Sequence, residues 1–155
     1  PGIITGMSVY REANDKYNYG LELLLSQKGS HKKTSEFDNT IFKLRYNYIC
    51  IPLYVDFKSL GPHLKKLNLR LAISNNIAIS SKVSYGYGWS DAGISPYELS
   101  AYLGVNYKIT DKLGLMIRTE NSILSIGTPK NSSFYNVSRR GLYNRLISFM
   151  VSWDL

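Results

Sequence analysis

Apolar and polar residues alternate with a period of two in seven stretches of the chain. In Tyr17–Lys28, the clearest stretch, the odd positions are Tyr or Leu up to Gln27, whereas the even positions are mostly small or charged. This alternation predicts a β-strand with one apolar and one polar face. It recurs along the chain, and we predict strands at residues 2–10, 17–28, 41–58, 67–80, 97–109, 112–126 and 143–155. Pro52 lacks the N–H needed for a strand ladder and predicts a bulge or bend.

The predicted connections between these strands alternate between two kinds. Three are plain and mostly short, at 11–16, 59–66 and 110–111, and three are long and polar, at 29–40, 81–95 and 127–141. An up-and-down antiparallel sheet places alternate connections at opposite rims. The pattern therefore predicts an all-β meander in one domain, residues 1–155, with one plain rim and one elaborated rim.

Charged residues occur in the middle of the polar faces, at Glu22, Asp56, Arg70, Arg118 and Glu120. The apolar faces form a belt of Leu, Ile and Val with aromatic residues at its edges. This arrangement is typical of a transmembrane β-barrel, whose apolar side chains face lipid. A barrel of about eight strands fills its lumen with side chains, and buried charges need partners. We therefore predict that these five residues form a paired lumen network and not a catalytic or proton-relay cluster. Within it we expect Arg118 to pair with Glu120 and Glu22 near the middle of the strands.

The chain contains 13 Tyr, 5 Phe and 2 Trp, and such aromatic enrichment favours strands. Its net charge of +8 favours a polyanionic partner. Many basic residues, Lys28 among them, fall at the rim of the long connections, and Lys43, Arg45 and Arg145 have the phase of the apolar face. We predict that these three contact the phosphates of lipopolysaccharide; an ordinary solvated rim is the alternative. Nucleic-acid binding is disfavoured because positive charge occurs at both rims and no recognised module is present.

No motif for catalysis or cofactor binding is present. Cys50 is the single cysteine, so it forms no internal disulfide, and its inward phase predicts a packed thiol. His31 and His63 fall in connections at opposite rims, and neither a GxSxG turn nor a phosphate-binding loop occurs. We expect no catalytic residue, no cofactor and no metal site.

Four segments resemble the PorT-like outer-membrane β-barrel family and follow in order along almost the whole chain. They are ELLLSQKG (22–29), NYICIPLYVDFK (47–58), DKLGLMIRTENSILSIG (111–127) and YNRLISFMVSWDL (143–155). The resemblance implies an eight-stranded barrel in the outer membrane of a Gram-negative bacterium, with residues 2–10 as its second strand. We therefore expect a first strand and a signal peptide to precede Pro1, or another chain to cover the gap, because open edges are costly in lipid.

We expect a non-enzymatic outer-membrane β-barrel that acts as a structural or accessory interaction subunit of a cell-envelope complex, of the secretion or nutrient-uptake type. Its expected partners are outer-membrane lipid, lipopolysaccharide and other envelope proteins. The alternatives are a small pore or ligand-binding barrel, a membrane-embedded hydrolase, and a soluble calycin-like binder.

Overall fold

The computed structural model describes residues 2–32, 42–58, 64–84, 88–91, 95–125 and 143–153, and the regular structure in these ranges is antiparallel β-sheet. The predicted all-β class is confirmed. The strands are β1 (Ile4–Glu12), β2 (Tyr17–Lys32), β3 (Phe42–Phe57), β4 (Leu67–Ser84), β5 (Ser90–Asp91), β6 (Tyr97–Lys108), β7 (Leu113–Ser122) and β8 (Arg145–Trp153). The described residues contain no helix with the length and apolar character needed to cross a membrane.

The seven long strands pair in chain order, β1-β2-β3-β4-β6-β7-β8, and the two-residue β5 pairs with the end of β4. At one rim, called the turn rim, the connections are 13–16, 58–66 and 109–112, with 4, 9 and 4 residues. At the opposite rim, called the loop rim, they are 33–41, 85–96 and 123–144, with 9, 12 and 22 residues. The predicted meander is therefore present, although the contrast in length is absent between 33–41 and 58–66.

The sheet is curled. β2 and β7 are four places apart in the pairing order, which would separate them by roughly 19 Å in a flat sheet. Nevertheless Lys28 Nζ on β2 lies 2.8 Å from Glu120 Oε1 on β7. The strands thus form a curled half-barrel with an inner and an outer face. Six antiparallel steps separate β1 from β8, so these two edge strands run in the same direction, and no pairing joins them within the described ranges.

The two faces have opposite chemistry. Polar and charged side chains lie on the inner face, where Arg118 is only 2% exposed, while Phe149 on the outer face is 80% exposed. Fourteen of the apolar outward side chains, on β2, β3, β4, β6, β7 and β8 and between 36% and 80% exposed, form what we call the outer belt. They are Leu21, Leu23, Leu25, Leu53, Val55, Leu71, Ile73, Leu103, Val105, Leu115, Ile117, Ile147, Phe149 and Val151.

Aromatic side chains border the outer belt at the turn rim. Each is the first or second outward residue counted from that rim: Tyr17, Tyr19, Phe57, Tyr107 and Trp153. Polar Asn75 interrupts the outward series of β4, and there the Tyr97 hydroxyl on β6 donates a hydrogen bond of 2.7 Å to Asn75 Oδ1. The outward amide of Asn75 therefore has a partner on the same face.

Some local expectations were wrong. β2 continues past residue 28 to Lys32, and β7 ends at Ser122 and not at residue 126. Residues 81–84, assigned to a loop, continue β4, and the sheet has its bulge at Ile79, because Asn47 pairs with Ser80 while Tyr48 pairs with Ala78. The extra residue inverts the phase of β4 beyond it, so that Val83 is buried and Lys82 is exposed.

Pro52 does not produce the predicted bulge. The ladder between β2 and β3 lacks pairs only between Leu21↔Leu53 and Leu24↔Cys50, and its register is the same on both sides of this gap. On its other side Pro52 stays in register with Ser74 on β4. A proline removes one donor without adding a residue, so the strand tolerates it and no shift in register follows.

Candidate functional site

The five charges predicted for the lumen lie together on the inner face. Each is at most 8% exposed, although they come from four strands: Glu22, Asp56, Arg70, Arg118 and Glu120. The two-residue period aims all five inward, and the curl of the sheet brings residues from distant strands within ion-pair distance.

Arg70 on β4 links two carboxylates. Its Nε and Nη2 donate to the two oxygens of Asp56 on β3, at 2.6 and 2.7 Å, and its Nη1 donates to Glu22 Oε1 on β2. The guanidinium carbon also lies 3.7 Å from the centre of the Tyr54 ring. A fork-shaped pair with a stacked aromatic holds a guanidinium in one orientation. Arg70 therefore ties together three neighbouring strands.

Arg118 on β7 reaches across the curled sheet. Its Nη1 lies 3.4 Å from Glu22 Oε2, and its Nη2 lies 3.7 Å from Glu120 Oε2. The ring centre of Tyr102 is 4.6 Å from its guanidinium carbon, and the Tyr102 hydroxyl donates to Glu22 Oε2 at 3.2 Å. The pairing of Arg118 with Glu22 and Glu120, expected from the sequence, is thus present near the middle of the strands.

Two further charged residues belong to the cluster, and sequence reasoning missed their part in it. Lys28 was assigned to the rim, yet it is 4% exposed and contacts Glu120 at 2.8 Å and Glu98 at 3.4 Å. Lys28 does not lie at the rim, because β2 does not end at Lys28 but continues to Lys32. The sequence does contain a signal for this inward orientation. Lys28 is at an even position of β2, as Glu22 is, and Glu98 is at an even position of β6, as the inward Tyr102 is.

We call these seven residues the inner ion network: Glu22, Lys28, Asp56, Arg70, Glu98, Arg118 and Glu120. Within the described part of the chain it contains three cations and four carboxylates. Neutral donors add to the carboxylate partners, since Ser100 donates to Glu120 at 2.8 Å while Ser122 and Asn144 donate to Glu98 at 2.6 and 2.9 Å. These contacts offset the desolvation of the buried charges.

Tyr54 connects the inner ion network to the edge strand β1. Its hydroxyl is 2.8 Å from the Ser8 hydroxyl on β1, while its ring stacks on Arg70. The absence of a side chain at Gly20 makes room for it, because a Cβ there would lie 2.6 Å from the Tyr54 hydroxyl and 2.5 Å from the Val9 carbonyl oxygen. Gly20 thus permits Tyr54 to pass close to β2 and reach Ser8 on the edge strand.

The side chains of His, Cys, Asp and Glu are potential metal ligands, and that of Cys is also a potential nucleophile. In the ranges that the structure describes, no group of three or more His, Cys, Asp or Glu is arranged to hold a metal ion. Cys50 is a buried free thiol that packs with Leu24, Tyr46 and Tyr48. His63 and the side chain of His31 lie outside the described residues.

The three outward basic residues do not form one group. Lys43 and Arg45 lie near the loop-rim end of β3, whereas Arg145 lies on β8, four places away in the pairing order. Arg145 donates from Nε to Asn121 Oδ1 at 2.9 Å. The register instead places Lys82 of β4 opposite Arg45, and Trp89 lies beside Arg45 with 5.2 Å between its ring centre and the guanidinium carbon. Sequence reasoning missed this role of Lys82, because the bulge sets its phase.

A search of protein-family models, curated proteins and solved structures finds no match.

The geometry of the inner ion network is suited to holding strands together. Ion pairs and hydrogen bonds link β2 to β4, β6 and β7, and Arg70 links β4 to β3. A chain of hydrogen bonds runs from Ser74 through Asn76 and Ser100 to Glu120. Side chains from strands as far apart in the pairing order as β2 and β7 therefore meet and fill the space inside the curled sheet. An interior packed in this way resists flattening of the sheet.

Proposed function

We propose that this protein is an outer-membrane β-barrel of a Gram-negative bacterium, similar to the PorT-like family, and that it is not an enzyme. In this proposal it serves as a structural or accessory subunit of a cell-envelope complex, of the secretion or nutrient-uptake type. The observation that carries the proposal is the orientation of the sheet, whose apolar side chains face outward while its ion pairs face inward.

The size and height of the outer belt support a lipid environment. Soluble monomers rarely expose apolar patches larger than roughly 300–600 Å², and a belt that extends over six strands is several times larger. On β6 the outward series from Tyr97 to Tyr107 extends roughly 34 Å along the strand, or about 26 Å vertically for a tilt of about 40°. That height suits a bilayer core, and the aromatic border at the turn rim suits its interface.

The inner ion network supports a structural role over transport. In a barrel of about eight strands, side chains alone fill the interior, and here Arg70, Arg118 and Lys28 bridge the walls. A small pore or ligand-binding barrel would need this network to open. Ohmic conductance of the protein in a planar bilayer would favour that second role.

The two edge strands support a partner. β1 and β8 each have one unpaired side within the described residues, and they run in the same direction. A single added strand, antiparallel to both, fits such a gap. Unpaired N–H and C=O groups cost several kcal/mol each in lipid, because no water replaces the missing partner. The gap is therefore where a further strand would pair, either from this polypeptide or from another envelope protein, and the proposed role as a subunit requires the latter.

Photo-crosslinking in intact membranes tests the partner. We expect benzoylphenylalanine at Phe149, outward on edge strand β8, to form an adduct with another polypeptide. The matched control is the same residue at Leu103 on β6, which has a paired strand on each side. We expect the yield at Phe149 to be several times that at Leu103. Recovery of monomer alone from both positions would contradict the role as a subunit.

A further inference from the structure

Three exposed cations lie close together on the outer face at the loop rim. Arg45 of β3 and Lys82 of β4 are directly opposite in the register, and Lys43 follows two positions from Arg45. Directly opposite side chains on one face have Cβ atoms about 4.5–5.5 Å apart, and like charges at such a site repel. The bulge at Ile79 creates this pair, because it turns Lys82 outward. An anion between the two side chains would remove the repulsion.

Few negative charges offset this cluster. Within the described ranges, no ion pair engages Lys43, Arg45 or Lys82. Asp91 on β5 is the register partner of Lys82 and accepts a hydrogen bond of 2.9 Å from the Ser81 hydroxyl. Among the described residues at this place, one carboxylate stands against three cations, a surplus of two positive charges.

The cluster lies where apolar surface ends. Ile77 and Ile79 are exposed on β4 just before Lys82, and the exposed ring of Trp89 lies beside Arg45. Tryptophan favours the boundary between hydrocarbon and headgroups. A lipid with a phosphorylated headgroup fits both parts, since its acyl chains can lie along the isoleucines while its phosphate meets the cations. A free anion gains nothing from the apolar part.

We propose that Lys43, Arg45 and Lys82, with Trp89 beside them, bind the phosphate of a lipopolysaccharide-type lipid in the outer leaflet. This site rests on the proposed membrane location. It differs from the expectation drawn from the sequence, because it includes Lys82 and Trp89 and excludes Arg145. Arg145 lies on a different part of the sheet and is hydrogen-bonded to Asn121.

Fluorescence of Trp89 tests the site. In the full chain with Trp153→Phe, Trp89 is the only tryptophan. We expect its emission to change and saturate as lipid A, a lipid with two phosphates, is added to phosphatidylcholine vesicles that contain the protein. The double variant Arg45→Gln/Lys82→Gln should weaken the apparent affinity about thirtyfold, since each cation near a membrane surface contributes about 1 kcal/mol.

The control variant is Lys65→Gln/Lys66→Gln, which removes two exposed lysines at the turn rim. We expect it to titrate as the parent does. Equal titration of the Arg45/Lys82 variant and the parent would overturn the site. An equal response of Trp89 to inorganic phosphate in detergent micelles would replace the lipid site by a free-anion site. Failure of the chain to float with any vesicle, including pure phosphatidylcholine, would instead refute the membrane location and remove the site with it.

Discussion

Replacing Lys28 by methionine is expected to lower the free energy of unfolding by about 3–5 kcal/mol, because it leaves buried carboxylates without their cation. The ammonium of Lys28 lies between Glu98 and Glu120, and all three side chains are at most 4% exposed. Among the described residues, Glu98 then has only neutral donors, and the one cation left near Glu120 is Arg118, at 3.7 Å. The measurement is urea-induced unfolding of the protein folded into lipid vesicles, followed by its shift in electrophoretic mobility.

The chain offers a matched control and a rescue for this prediction. Lys43 is an exposed lysine on the outer face of the adjacent strand. In phosphatidylcholine vesicles, which lack the lipid proposed to bind it, Lys43→Met should change stability by no more than about 0.5 kcal/mol. The double variant Lys28→Met/Glu120→Gln should recover part of the loss, because it removes one of the unpaired charges. If Lys28→Met costs no more than Lys43→Met, the inner ion network does not hold the sheet together.

Replacing Leu103 by arginine should also have a large effect, for a different reason. Leu103 is the middle outward residue of β6, between Tyr97 and Ile109. An arginine on the lipid face costs about 2–4 kcal/mol at the bilayer midplane and about 0–1 kcal/mol near the interface. We therefore expect Leu103→Arg to destabilise the protein strongly and Ile109→Arg to have little effect.

The same pair of variants separates lipid from water. Leu103 and Ile109 have similar exposure, 44% and 39%, and substitutions of exposed residues in water usually change stability by less than about 0.5 kcal/mol. A soluble β protein would therefore tolerate both changes equally. The unfolding free energies of both variants in vesicles, measured as for Lys28→Met, decide between a lipid-facing and a water-facing surface. Equal costs at the two positions would contradict the lipid-facing assignment.

The direction of each side chain was the most predictable property of this chain. A strand has a period of two, so Leu21 and Glu22 must face opposite sides whatever the rest of the fold does. The chain order of the strands also followed, because antiparallel neighbours need only short connections.

The partners across the sheet were harder to predict. That Lys28 meets Glu120 depends on where β2 ends and on the stagger between strands that are four places apart, and neither is encoded in one strand alone. The bulge at Ile79 was missed for a similar reason. A bulge is defined by two strands, since one residue of β4 has no counterpart on β3. The proline at position 52 predicted a bulge on β3, whereas the bulge is on β4. The grouping of Lys82 with Arg45 depends on that bulge.

The central claim is that the outer belt contacts hydrocarbon, and spin-label accessibility along β6 tests it most directly. Single cysteines at residues 99–107, in a Cys50→Ser background, would carry the label in vesicles, and collision with oxygen would be compared with collision with a water-soluble nickel complex. We predict high oxygen accessibility at the outward positions, highest at Leu103, with low values for both reagents at Ser100 and Tyr102. Preferential collision of the nickel complex with labels at Leu103 and Val105 would place the belt in water and contradict the account.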